Sequence, residues 1–267
     1  MQRRVGHVQI DTIAAESPKF TAPLLLIHGL WCTAAVWRRF MGYLAHRGWT
    51  CHALDLRGRS AGGAGPLATI SLTDHLDDVR QVLAAVEVPP VVVGHDLGGL
   101  LALHTGAPAV RAVIALAPLV PRAIGSVPTP IASTLAARWA LWRGAPLRPP
   151  TGRLRNEWLG SGAINPVPDS SRVLAEIEHD RFAPLAPGGA PTLLLAGERD
   201  PISPPHVVER LARIVGGSCG VVTGAGHAMA YEVGWETCVS QVHRWLVQAL
   251  GEELLAMRED EEDDPQP

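Results

Sequence analysis

The stretch Val91 to Gly99, VVVGHDLGG, constrains the fold of this chain more than any other. Three β-branched residues in a row read as a strand buried on both faces, and the glycines that follow read as a tight turn into a helix. Asp96 is the centre of that turn. A strand-to-helix turn this short places its central residue at strained dihedrals, so the positions two before and two after it, Gly94 and Gly98, must be small. The turn lifts one side chain above the C-terminal edge of the sheet, at a helix N-terminus where unpaired N–H groups favour negative charge. A carboxylate suits that place.

Further strand ends carry polar or glycine-rich turns. Leu24 to Ile27 reads as a buried strand ending in His28-Gly29-Leu30-Trp31, after which Trp37 opens a helix to about Arg47. Trp49 to Leu54 is a strand closed by Asp55-Leu56-Arg57-Gly58-Arg59-Ser60, and residues 71 to 86 place Leu72, Leu76, Val79 and Leu83 at helical spacing. Leu100 to Thr105 continues the helix after Asp96, and Val110 to Leu116 is a strand ending at Ala117-Pro118 without an acid nearby. Thr192 to Leu195 is a strand followed by Gly197-Glu198-Arg199-Asp200-Pro201. Ser218 to Val222, after a helix over 205 to 215, runs into Gly224-Ala225-Gly226-His227, and a helix from about Val233 to Leu250 follows. Residues 4 to 13 alternate weakly and read as one edge strand.

At 267 residues with 47% apolar composition, the chain fits one large α/β domain with room for an insertion. Net charge is −3 with scattered basic residues, which excludes nucleic acid as the expected partner. No apolar run reaches the roughly 20 residues of a membrane span, and MQRRVGHVQID carries no signal-peptide core, so the expected location is cytoplasmic. Four cysteines lack metal-ligand spacing and read as reduced thiols. Asp74, His75, Asp77 and Asp78 read as a solvated first helical turn rather than a metal site. From Glu252 the chain turns acidic, and 252–267 read as a disordered tail.

The motif Gly-His-Asp-x-Gly-Gly at 94–99 resembles the elbow of α/β-hydrolases in the branch where Asp replaces Ser, that of epoxide hydrolases and haloalkane dehalogenases. The resemblance implies an α/β-hydrolase fold: a mostly parallel central sheet flanked by helices, with a small, mainly helical cap inserted after the sixth strand. The core would be residues 1–118 and 191–251, and the proline- and tryptophan-rich 119–190 would be the cap. It also implies Asp96 as nucleophile, Asp200 as orienting acid in preference to Glu198, and His227 as base, in the chain order of this fold. Backbone N–H groups of Leu30 and Leu97 would form the oxyanion hole, and Asp55 and Arg57 would brace loops.

The Asp changes the feasible chemistry. A carboxylate attacking an ester forms an anhydride, whereas at saturated carbon it opens an epoxide or expels halide and leaves an ester on the enzyme. It is ionised at neutral pH and needs no base to attack. Epoxide hydrolases usually carry two cap tyrosines, but the tyrosines here are Tyr43 and Tyr231, both outside 119–190. Dehalogenases usually carry Trp after the nucleophile, where this chain has Leu97, and Trp31 stands where the family usually has Pro.

Candidate substrate contacts are Trp31, Trp37, Trp139, Trp142, Trp158, His179 and Tyr231, with His179 and Tyr231 as candidate ring-opening acids. The expected function is epoxide opening on a small hydrophobic molecule without cofactor or metal, by a monomer or homodimer. The alternatives are a dehalogenase, an esterase-derived catalyst using Asp96 as general base for a cyclisation or isomerisation, and a non-catalytic binding protein.

Overall fold

The computed structural model describes residues 1–59, 67–125, 134–162, 164–179 and 189–262. Among them, eight strands form one sheet in the order β1-β2-β4-β3-β5-β6-β7-β8. These are β1 (Gln2–Val5), β2 (Val8–Ile13), β3 (Leu24–Ile27), β4 (Cys51–Asp55), β5 (Val91–His95), β6 (Ala112–Leu116), β7 (Thr192–Gly197) and β8 (Ser218–Val222). The pairs β1–β2 and β2–β4 are antiparallel, and every later pair is parallel. The helices are α1 (Arg38–His46), α2 (Leu72–Ala84), α3 (Leu97–Ala102), α4 (Leu135–Arg143), α5 (Gly152–Leu159), α6 (Ser171–Glu178), α7 (Pro205–Val215) and α8 (Trp235–Glu262).

Burial explains which strands hold the centre. Strands β3, β5 and β6 are buried at every residue, as unbroken Leu, Val, Ile and Ala runs must be when helices cover both faces. The covering helices read differently: in α7, Val207, Val208, Leu211, Ala212 and Val215 face inward at helical spacing and Glu209, Arg210 and Arg213 face out. Ser71 caps α2 by accepting from the Asp74 N–H, while the Asp74 side chain accepts from the Ser71 N–H.

The expected single edge strand over 4–13 is a hairpin. Gly6, at φ 56, turns the chain so that β1 pairs back on β2. The acidic stretch of α2 is also less solvated than expected: His75 and Asp78 are buried, and Arg57 joins Asp78 and Asp74 through its guanidinium. Between β6 and β7 the cap carries α4, α5 and α6; α5 opens on Gly152 and is polar at half of its positions, so no apolar stripe marks it in the sequence. The backbone of α8 continues to Glu262, past the expected end at Leu250.

Register places the turns that matter side by side. Ile27 of β3 is level with Gly94 of β5, and Gly94 is level with Ala115 of β6, so the chain leaving β3 runs beside Asp96. The turn is packed so closely that a Cβ on Gly98 would lie 2.1 Å from the carbonyl oxygen of Ile27, and one on Gly94 would lie 2.0 Å from that of Gly98. By contrast Gly42, exposed in the middle of α1, has nothing within 4 Å of an added Cβ. Gly42→Ala is therefore expected to stabilise the protein by about 0.5–1 kcal/mol. Gly98→Ala should prevent native folding. Urea unfolding of the two variants checks both signs.

Candidate active site

Asp96 ends β5 at φ 55 and ψ −116, a conformation rare for a residue with a Cβ, and is 1% exposed. Its backbone holds the position from both sides. The N–H donates to the Leu116 carbonyl (3.1 Å), and the carbonyl accepts from Leu100 (3.1 Å) and Leu119 (3.0 Å). The carboxylate is divided between two partners: Oδ2 accepts from the Leu30 N–H at 2.7 Å, and Oδ1 lies 3.3 Å from Nε2 of His227. Gly29 makes the first contact possible, since a Cβ there would lie 2.6 Å from Oδ2 and 2.7 Å from Cβ of Asp96.

His227 follows β8 and turns its other nitrogen, Nδ1, to Asp200 Oδ2 at 2.8 Å. Asp200 follows β7; its Oδ1 accepts from the N–H groups of Ile202 (2.8 Å) and Ser203 (3.0 Å). Glu198 instead accepts from the Gly224 N–H and faces solvent. The structure thus brings together Asp96, Asp200, His227 and the Leu30 N–H. Leu97 opens α3, so its N–H is among the first-turn groups without an intrahelical acceptor.

Burial would lower the pKa of His227, but the charge and hydrogen bond of Asp200, joined by Asp96, push it up to about 10. Burial opposes ionisation of Asp200, and the imidazolium charge and hydrogen bond together with the two N–H donors outweigh it, leaving its carboxyl below the usual range. His95, just before Asp96, donates from Nε2 to the His227 carbonyl (2.8 Å); burial, then the His227 charge, lower its pKa to about 4.

The tryptophans divide. Trp158, from α5, is buried and stands edge-on to His227 (5.6 Å between centroids) and to Trp31 (5.2 Å). Its indole N–H has no protein acceptor among the described residues. Trp31 is fully buried beside it. Tyr231 stacks edge-on to His95 at 5.5 Å, and its hydroxyl lies 3.7 Å from the Cys32 thiol. Burial first, then the nearby charges of Cys32 and Asp96, raise its pKa well above the ordinary value.

Four expected contacts do not join this group. Trp37 packs edge-on to Phe40 in the core under α1, because the first turn of that helix faces the sheet. Trp139 and Trp142 project from the outer side of α4, 57% and 78% exposed, with the Arg143 guanidinium 5.6 and 5.8 Å from their rings. His179 is exposed at the end of α6, where Nδ1 bonds the Ala175 carbonyl. A cavity of about 590 Å³ lies within the cap, lined among others by Trp139, Leu147, Pro150 and Leu154.

A family model for the alpha/beta hydrolase family matches residues 24–240. The chain belongs to that family. It is 33% identical over 76 residues to a pyrethroid hydrolase from Sphingobium wenxiniae, a match covering 28% of this chain and 27% of that protein. In fold it is similar to the monoacylglycerol lipase of Paleococcus ferrophilus (TM-score 0.69, 19% identity, 91% of this chain and 100% of that one). It is likewise similar to a soluble variant of monoglyceride lipase from Saccharomyces cerevisiae (TM-score 0.69, 17% identity, 93% and 94%).

Residues that sequence reasoning passed over are Cys32, His95, Arg59 and Asp169. His95 and Arg59 stood inside quoted motifs without a role, while Asp169 lies in a proline-rich run with no periodic signal.

The raised pKa of His227 makes a stability statement. A group whose folded pKa rises from 6.5 to about 10 contributes stability that is complete below pH 6.5 and is lost as pH climbs through about 10. The difference in urea midpoint between wild type and His227→Gln should therefore narrow from pH 6.5 to pH 10. A constant difference would mean that the folded protein holds His227 neutral.

Proposed function

We propose that this protein is a hydrolase that opens a small hydrophobic epoxide through a covalent ester on Asp96. The observation that carries this reading is the division of the Asp96 carboxylate, one oxygen on the Leu30 N–H and the other facing His227. If Oδ1 takes the alkyl group, Oδ2 becomes the ester carbonyl oxygen, and it already lies on the donor that a developing oxyanion needs. A serine nucleophile would leave that N–H free for an acyl substrate; here the enzyme's own carboxylate fills it.

In the first step Oδ1 forms a bond to an epoxide carbon, the C–O bond of the ring breaks, and its electron pair stays on oxygen. That oxygen takes a proton from the Tyr231 hydroxyl, which lies with the site while Tyr43 pairs with Ser240. Burial keeps the Tyr231 hydroxyl protonated, so it holds a proton for the alkoxide to take. The tyrosinate regains its proton from the His227 imidazolium, leaving a neutral imidazole. In the second step His227 takes a proton from water, hydroxide adds to the ester carbonyl, and Oδ2 carries the charge against the N–H groups of Leu30 and Leu97. Collapse releases the diol, with the proton on His227 passing to the leaving oxygen, and the Asp96 carboxyl returns its proton to His227.

The unpaired N–H of Trp158 gives a second reading some footing, since a buried donor beside the base would hold a departing halide as well as an epoxide oxygen. The names of the relatives, a pyrethroid hydrolase and monoacylglycerol lipases, support hydrolysis and do not choose between these leaving groups.

His227→Ala incubated with styrene oxide should gain the mass of one substrate on the peptide carrying Asp96. Diol formation by wild type without any adduct in the variant would sink covalent catalysis. Bromide release from a bromoalkane, with no diol from styrene oxide, would select the dehalogenase reading. Trp158→Phe removes one buried donor, worth about 1–3 kcal/mol, and should slow whichever substrate reacts by roughly 5- to 100-fold.

A further inference from the structure

We propose that Asp169, a cap carboxylate, is a positioning residue that builds the oxyanion hole from outside the core, so that the hole is complete only while the cap segment 167–170 is seated. This rests on the reading of the Leu30 N–H as the oxyanion donor. The starting point is the residue after Leu30. Trp31 has φ 58, in the left-handed region that a bulky side chain avoids. Strain of this kind costs about 1–3 kcal/mol and persists only where the surroundings over-determine it.

What over-determines Trp31 is the cap. Its N–H donates to Asp169 Oδ2 at 2.8 Å, its carbonyl accepts from the Val167 N–H at 2.9 Å, and its indole N–H donates to the Leu147 carbonyl at 3.3 Å. Every hydrogen-bonding group of the residue therefore ends on the inserted segment. Within the core the turn is closed by the Cys32 N–H, which donates to the Gly29 carbonyl at 3.3 Å across Leu30 and Trp31. The Leu30 N–H belongs to the preceding peptide, Gly29–Leu30, and sits in the same turn as Trp31, so releasing those three bonds loosens the turn that carries the donor.

Asp169 is held in place by partners on both sides. It is fully buried; Oδ2 also takes the Arg59 guanidinium, and Oδ1 accepts from the Ser170 N–H at 2.7 Å. Its backbone forms a two-bond bridge with Leu147. Arg59 comes from the core turn after β4 and reaches across to donate to the Pro168 carbonyl as well, at 2.8 Å. The two histidines beside the pair stay neutral at neutral pH: burial, then the Arg59 charge, lower His28 to about 3 and His75 to about 4. Among the described residues Asp169 is the carboxylate bonded to the Arg59 guanidinium, and Asp55 lies near enough to feel its charge. A buried ion pair contributes little net stability over an apolar pair of the same volume, so its retention here points to geometry. It ties the core turn, the cap and the oxyanion loop at a single carboxylate.

The double variant Arg59→Met/Asp169→Leu removes both buried charges together, which avoids stranding either one. Hydrogen exchange of wild type and variant, read on the peptides spanning 28–37 and 91–104, separates positioning from general support. The expected result is exchange at the Leu30 and Trp31 amides at least roughly tenfold faster, with the 91–104 peptide unchanged. In parallel, styrene oxide should accumulate as ester on Asp96 during turnover, because loss of one oxyanion donor slows the second step by about 100-fold or more. Wild-type protection in the 28–37 peptide would overturn the proposal. So would a uniform rise in exchange across both peptides, the mark of a merely structural pair. Asp169→Asn, which keeps the shape and one acceptor oxygen, is read by exchange alongside, so a double variant that fails to fold leaves a second readout. Faster loop exchange there supports the role and unchanged exchange opposes it. If His227→Ala forms no ester at all, the covalent reading fails while the exchange comparison still judges the latch.

Discussion

At the end of β5 the chain changes from strand to helix within one residue, and Asp96 carries the strain of that reversal at φ 55. Everything nearby is arranged around keeping it there. Neighbouring turns cannot retreat, because a Cβ on either flanking glycine would collide with backbone carbonyls at about 2 Å. Level registers between β3, β5 and β6 then bring the Leu30 N–H to one carboxylate oxygen and the Leu116 carbonyl to the Asp96 N–H. Parallel strands deliver their C-terminal turns to the same edge, which is why His227, more than a hundred residues further along the chain, faces Asp96 with one ring nitrogen and bonds Asp200 with the other.

The elbow was legible because its demands are local. Small residues at fixed offsets, a β-branched run before them and a polar residue between them have a steric cause that sequence displays directly. Turns after β7 and β8 were legible for the same reason, and helix α7 and strand β8 begin and end where their patterns place them. In the cap, α4 and α6 fall on stretches of helical pattern and α5 does not. Its helices are short, half of α5 is polar, and beside the buried Val173, Leu174 and Ile177 of α6 much of its attachment to the core is made by scattered hydrogen bonds of Asp169, Val167, Ser170 and Glu176. Asp169 bears no mark in the sequence of its place beneath Trp31. The same gap misplaced the aromatics: an indole seeks burial, but spacing does not say whether it finds the core, as Trp37 does, or the site, as Trp158 does. Trp139 and Trp142 find neither, since α4 turns that side outward.

Exchanging a hydroxyl for a carboxylate at the elbow alters what the histidine must be at rest. A base that prepares a serine has to be neutral, whereas two carboxylates hold His227 protonated to about pH 10. That state would stall a serine enzyme, whereas a carboxylate nucleophile needs no base to attack and has only to leave its pairing with His227. On the proposed mechanism, ester formation would remove the Asp96 charge, and with it one of the two carboxylates that hold the proton on the imidazole, so the step that creates the ester would also set its base free. Asp200 orients the imidazole through Nδ1, and its own Oδ1 is anchored by the Ile202 and Ser203 N–H groups. On this chemistry the buried cation at rest is a stage of the cycle, and the order of the two steps is written into the electrostatics of three side chains.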